Sequence, residues 1–267
     1  MRRTIRSKTS PGAVRRTALN AVFPALFLGL MLTAGAQDVP LPRAETLFEQ
    51  FIQKTGGQAV YDRIQNRLTK STMKLSLPSI TAEVTSLVTR SGLYRVVVDS
   101  QDIGKIEFGS DGRTVWDFNP MSGPQIREGR ERSRFQHLYS LDLPARWRKV
   151  FKSVECTGLE VIEGKPAFKV VAVSLDDYSP VYYFEQTSGF LIKIEYPMET
   201  AVGPGVQEIF LSDYQTAGGI LYPHVQKRRE QVREMDLTFT SIEYNVVIPE
   251  NAFTLPEAIK RIAGPGR

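Results

Sequence analysis

The stretch Tyr182-Tyr183-Phe184-Glu185-Gln186-Thr187-Ser188-Gly189-Phe190-Leu191-Ile192-Lys193-Ile194-Glu195 decides how this chain is read. Two apolar runs meet at Thr187-Ser188-Gly189, and such punctuation between runs too short for helices reads as an antiparallel β-hairpin. The pattern recurs. Met73, Leu75 and Leu77, then Val84, Ser86 and Val88, then Tyr94, Val96 and Val98 alternate with opposite-face residues. Turn signals fall at Ser110-Asp111-Gly112, Glu163-Gly164-Lys165 and Ala217-Gly218-Gly219. About ten or eleven strands are predicted between residues 69 and 244.

Helical spacing flanks and interrupts this sheet. Residues 43–54 place Ala44, Leu47, Phe48, Phe51 and Ile52 on one face and end at Gly56-Gly57; a second short helix runs from Gln58 to about Asn66. Between residues 131 and 152 a helical patch carries Phe135, Leu138, Tyr139 and Trp147, broken at Pro144. The preceding Pro120-Met121-Ser122-Gly123-Pro124 is read as unable to continue a strand. A last turn of helix, 257–262, leads into a tail, 263–267, read as disordered. The fold class expected is mainly β, an antiparallel sheet that curls strongly with helices on one side.

Residues 1–36 read as a cleavable signal peptide. Arg2, Arg3, Arg6, Lys8, Arg15 and Arg16 precede an apolar core from Ala21 to Leu32, and Ala34-Gly35-Ala36 offers a cleavage site before Gln37. The rival is a retained anchor, but the run is shorter than the ~20 residues that span a bilayer and Pro24 interrupts it. Arg15-Arg16 matches a twin-arginine signal only partly, so the Sec route is read ahead of it. Because Gln37 rather than cysteine follows the site, the expected product is a soluble periplasmic protein rather than a lipid-anchored one. Export also changes the charge. The chain has 34 Lys+Arg and 29 Asp+Glu, a net of +5; without the six basic residues of the leader the count is 28 against 29. A near-neutral body argues against nucleic acid as a partner. The stretches Arg127–Arg134 and Lys227-Arg228-Arg229 are read as solvated faces.

Chemistry is sparse. The two histidines, His137 and His224, have no metal-ligand spacing around them, His137 being read as part of a polar helix face and His224 as a partly exposed strand residue. Cys156, the single cysteine, reads as a buried strand thiol, and Asp176-Asp177 as turn caps. No nucleophile elbow, P-loop or dinucleotide fingerprint occurs. The chain is therefore read as a non-enzyme without catalytic, cofactor-binding or metal residues. Apolar and aromatic area is plentiful. The candidate cleft residues are Leu47, Phe51, Phe108, Trp116, Phe118, Phe168, Phe184, Phe190, Ile192, Phe210 and Phe239, with ordinary core packing as the alternative.

The block Gly158 to Val170 and the quoted hairpin 182–195 resemble LolA-like proteins, the superfamily of periplasmic outer-membrane lipoprotein carriers. So do Glu208-Ile209-Phe210-Leu211-Ser212-Asp213-Tyr214, Gly219 to His224, and the opening Leu47 to Lys70 with Ile64-Gln65-Asn66-Arg67. The resemblance implies one half-barrel domain over 37–262, an incomplete antiparallel β-barrel whose N-terminal and inserted helices cover the concave face. It also implies a carrier or chaperone for a lipid, a lipoprotein acyl chain or another amphiphile, with at most transient membrane contact. The alternatives are a scaffold that meets envelope proteins, its cleft filled by its own helices, and, behind it, a hydrolase.

Overall fold

The structure is a computed structural model that describes residues 40–231 and 233–264. The signal peptide expected over 1–36 and the end of the tail lie outside these residues.

One antiparallel sheet of 13 strands forms the body, in the order β6-β5-β4-β3-β2-β1-β13-β12-β11-β10-β9-β8-β7. The first arm comprises β1 (Asn66–Leu75), β2 (Ile80–Thr89), β3 (Tyr94–Ser100), β4 (Gly104–Ser110), β5 (Val115–Asn119) and β6 (Gly123–Arg127). The second comprises β7 (Phe151–Ile162), β8 (Lys165–Ser174), β9 (Val181–Glu185), β10 (Leu191–Thr200), β11 (Gly203–Ala217), β12 (Ile220–Glu230) and β13 (Arg233–Tyr244). The pairing of β1 with β13 joins the arms, while β6 and β7 stay unpaired with each other. The barrel is therefore incomplete.

Period-two burial marks the concave face. In β3 Tyr94, Val96 and Val98 are buried and their neighbours are not. Irregularities in register between Lys70 and Ser71 and between Leu191 and Lys193 locally increase twist, which lets so wide a sheet curl.

The strand count exceeds the ten or eleven expected, and β6 is one reason. Pro124 stands within it opposite Phe118, contrary to the reading of that segment as unable to form a strand. A proline is tolerated because β6 is an edge, where one flank needs no ladder donor. Helix α5 (Glu257–Ala263) lies against β6 and buries Ile259 completely. The other edge, β7, carries irregularities at Phe151/Ser153 and Cys156/Gly158, a common device against edge pairing.

Helix α1 (Ala44–Thr55) buries the face foreseen from its spacing. Phe48 stacks on Trp147 at 5.4 Å and meets Tyr182 and Phe184 edge-on at 5.4 and 5.1 Å. It thereby fills the concave side of β8 and β9. Gly56, at φ +144°, turns the chain into α2 (Gln58–Arg63), which ends three residues earlier than predicted because β1 begins at Asn66. The inserted segment forms α3 (Gly129–Leu138), a 3-10 turn over Leu143–Arg146 that contains Pro144, and α4 (Trp147–Val150).

Candidate functional site

The two arms of the sheet are bridged by α3. On one side Phe135 and Tyr139 meet Phe108 of β4 at 6.1 and 5.2 Å, and Tyr139 stacks on Tyr94 at 5.1 Å. On the other, Arg134 donates to Gln207 of β11 at 3.1 Å, and the Glu199 amide of β10 donates to Glu131 at 3.4 Å. Arg134 is held by Glu131 at 2.8 Å, one turn earlier on the same helix. A strap anchored at both arms leaves space beneath it.

That space is a cavity of about 680 Å³. Its floor is the concave face of β1–β4 and β10–β13, including Met73, Val84, Val96, Ile209, Leu211 and Leu237. Its roof is α3 with the loop 140–145, and Phe51 of α1 and Tyr61 of α2 border it. The small polar side chains Thr69, Ser71 and Ser86 lie among the apolar ones on the floor. Volumes of roughly 300–1,000 Å³ are usual for pockets that enclose small ligands.

The inner end is polar and holds a buried ion pair. Arg67 donates to Asp142 at 2.9 Å and lies over the Tyr222 ring at 4.8 Å. Burial pushes the Asp142 carboxyl above the usual carboxylate range, opposed by the Arg67, Arg90 and Arg146 guanidiniums. Burial likewise raises the Tyr61 hydroxyl, which donates to Thr55 at 2.7 Å and stays a neutral donor. Among the described residues no group of three or more His, Cys, Asp or Glu is placed to hold a metal ion, and no helix is long and apolar enough to cross a membrane.

The structure divides the eleven candidate cleft residues. Phe51, Phe108 and Phe239 line the cavity. Leu47, on the buried face of α1, and Phe184 of β9, covered by that helix, belong to the packed core rather than to the cavity lining, and Phe168 is half-buried against that core. Phe190 stacks on Tyr214 at 4.6 Å beside the cavity. Trp116 and Phe118 alternate with the cavity-lining Asp117 and Asn119, so they do not line it; the Arg95 guanidinium lies 5.6 Å from the Trp116 ring.

Ile192 and Phe210 belong to a second, separate cluster with Ile162, Ala167 and Tyr183. Two causes put them there. Phe210 has the opposite parity to Ile209 and Leu211, which line the cavity. Ile192 follows a break in register between Leu191 and Lys193. It therefore shares a face with Lys193, which sits 5.0 Å from the Tyr183 ring and 5.3 Å from the Phe210 ring, while Ile194 returns to the cavity.

Other readings change with the tertiary structure. His137 is buried rather than on a polar face: its ring is 5.9 Å from Phe151 and 5.0 Å from Tyr178, with Nε2 3.8 Å from Asp176. Asp176 accepts from both Ser133 and Ser174, a turn cap that also ties down α3. Cys156 is only half-buried because β7 is an edge strand, and burial raises its thiol. His224 is half-buried on β12, as read. The two basic stretches are not uniform solvated faces. Arg134 is buried and Arg127 pairs with Asp117. Strand alternation turns Arg228 toward the cavity and leaves Arg229 over Phe210, paired with Glu234 at 2.9 Å.

The aliphatic floor is what sequence reasoning left out of the cleft. Its signal was present in the alternation Tyr94/Val96/Val98 and Val84/Ser86/Val88, but it identifies a face without saying whether that face is filled.

No protein-family model matches the chain, and no curated protein matches it. Solved structures do. A LolA superfamily protein from Nitrosomonas europaea is 12% identical with a TM-score of 0.55, over 80% of this chain and 98% of that one. A DUF1329 family protein from Desulfovibrio piger is 12% identical with a TM-score of 0.53, over 79% and 97%. A Vibrio parahaemolyticus protein described as an outer membrane lipoprotein-sorting protein domain is 13% identical with a TM-score of 0.52, over 79% and 97%. At these identities the likeness concerns architecture, and the chain has a LolA-like fold.

Proposed function

We propose that this chain is an exported periplasmic carrier that holds a lipid, a lipoprotein acyl chain or another amphiphile beneath α3. The observation that carries this reading is the roofed cavity of about 680 Å³ with an aliphatic floor. Helix α1 fills the part of the concave face over β8 and β9, and space remains over β1–β4 and β10–β13. Each methylene moved from water into such a site contributes roughly 0.8 kcal/mol, so an acyl chain needs few polar contacts to bind. The leader over residues 1–36 supplies the export half of the proposal, and the fold shared with lipoprotein-sorting and LolA superfamily proteins is consistent with the carrier half.

The test is native mass spectrometry of residues 37–267 purified from a lipid-containing host, with organic extraction and titration of a fluorescent fatty acid. A co-purifying amphiphile that the probe displaces is expected. A protein that emerges free of amphiphile and takes up no probe is a scaffold, not a carrier.

A further inference from the structure

The hairpin turns of this sheet differ by end. Because all pairings are antiparallel, the turns β1–β2, β3–β4, β5–β6, β8–β9, β10–β11 and β12–β13 fall at one end, and the remaining hairpin turns at the other. At the first end Leu77, Met121, Leu175 and Val202 occupy four separate turns and are 70, 88, 71 and 90% exposed. Ile103 stands half-buried in a fifth. At the second end, none of the turns between 90–93, 111–114, 163–164, 186–190 and 218–219 holds an exposed large apolar residue.

The apolar end is also where the cavity reaches the turns. Pro78, Ile103 and Met121 belong at once to the cavity lining and to these turns. We propose that this rim docks on a lipid surface, its turn residues inserted among the lipids so that the cavity opens toward the membrane. A protein interface would present a contiguous apolar patch for close packing; here single apolar side chains stand on separate loops, Leu77 between Ser76 and Pro78, Met121 between Pro120 and Ser122, Leu175 before Asp176-Asp177 and Val202 between Ala201 and Gly203. Such isolated tips suit a fluid acceptor that fills the gaps between them. Charges near the turns are mixed, with Lys74, Lys105 and Lys152 set against Asp102, Asp176, Asp177 and Glu199, so apolar insertion rather than attraction to anionic lipid drives the contact. Acyl transfer through the docked mouth rests on the carrier reading; the docking itself does not.

The experiment is vesicle flotation of the leader-free chain with phosphatidylcholine vesicles, with vesicles that add an anionic lipid and with vesicles carrying envelope membrane proteins, each at low salt and at about 0.5 M salt, where exposed charges are screened within several ångströms. The unmodified protein is expected to float at both. The triple variant Leu77→Ser, Leu175→Ser and Val202→Ser is expected to lose partitioning by roughly a hundredfold, given three apolar side chains withdrawn from lipid. Val247→Ser, at a residue 96% exposed beyond β13, is expected to float normally. Circular dichroism checks the fold, and the fluorescent fatty acid is titrated in parallel. No flotation of the unmodified chain, an unaffected triple variant, an equal loss in Val247→Ser, or binding confined to anionic vesicles and abolished by salt overturns the proposal. Flotation only on vesicles carrying membrane proteins overturns it as well and assigns the rim to a protein partner. Flotation without probe uptake removes the carrier reading and leaves the rim supported.

Discussion

Arg67 of β1 donates from Nη1 to Asp142 Oδ1 at 2.9 Å, and this buried pair ties the sheet to the loop that follows α3 at the inner end of the cavity. Asp142 holds φ +46°, a left-handed conformation that short polar side chains tolerate best. The loop is therefore fixed by charge and backbone together. Removing Arg67 leaves the buried Asp142 carboxyl with only the Arg90 and Arg146 guanidiniums to oppose its burial. Arg67→Met is expected to lower stability by about 3 kcal/mol, and adding Asp142→Asn, which keeps the left-handed residue while removing its charge, is expected to recover a large part of that. Denaturant unfolding of the single and double variants checks both. A double variant that loses as much as the two singles added together contradicts the coupling.

Ser86 lies on the cavity floor, paired with Thr69 on one side and Val96 on the other. Ser86→Phe is expected to fill the space beneath α3, because a larger side chain there has a void rather than packed atoms in front of it. Fatty-acid probe affinity should fall by at least about tenfold while the unfolding midpoint moves by only a few degrees. Undiminished probe binding would place the ligand elsewhere.

The two faces of the sheet predict a separation of effects. Phe210 is packed in the second cluster under Arg229 and Lys193, whereas Phe239 borders the cavity and meets Tyr222 edge-on at 5.4 Å. Phe210→Ala is expected to cost roughly 3 kcal/mol of stability with probe affinity unchanged. Phe239→Ala should weaken both. Calorimetry alongside probe titration distinguishes the outcomes.

His137 anchors α3 between Phe151 and Tyr178, and burial holds its imidazole below the ordinary value of about 6.5, with Asp176 opposing that shift. A folded-state value below the unfolded one means the unfolded chain binds more protons. Stability from this group is thus intact at neutral pH and declines as pH falls from about 6.5 toward the folded value. His137→Phe is expected to flatten the difference in unfolding midpoint between about pH 7 and pH 5. An unchanged slope would mean that other groups set the acid limit.

Gly56 turns α1 into α2 with φ +144°, and a Cβ built there would stand 2.8 Å from the Gly219 carbonyl oxygen. Gly56→Ala is expected to destabilise by about 1–3 kcal/mol, from backbone strain and from parting the helix turn from the β11–β12 turn. Hydrogen exchange should show the loss concentrated in residues 44–63. A uniform loss would indicate a different cause.

Much of the architecture was written in local periodicity. Alternation and turn residues marked the sheet and its hairpins, and spacing marked α1 and its buried face. Pro120 ends β5 as expected, but Pro124 misled because proline forbids a central strand but not an edge, and which strand becomes an edge depends on the whole pairing order. The cavity was less legible. Large apolar side chains do not separate the two faces: Phe51, Phe108 and Phe239 border the cavity, whereas Trp116, Phe118, Ile192 and Phe210 do not line it.

The sequence by itself determined that this chain forms a curled antiparallel sheet with an amphipathic N-terminal helix and an interrupting helical segment, because periods of two and of 3.6 residues are local properties of the backbone. Only the tertiary structure decided which apolar face is filled and which is hollow. Parity is reset at the register break between Leu191 and Lys193, and α1 seals one region of the concave face while α3 stands off another. Whether a face meets packed atoms or open space depends on residues distant in the chain, and no pattern along a single strand encodes that distance.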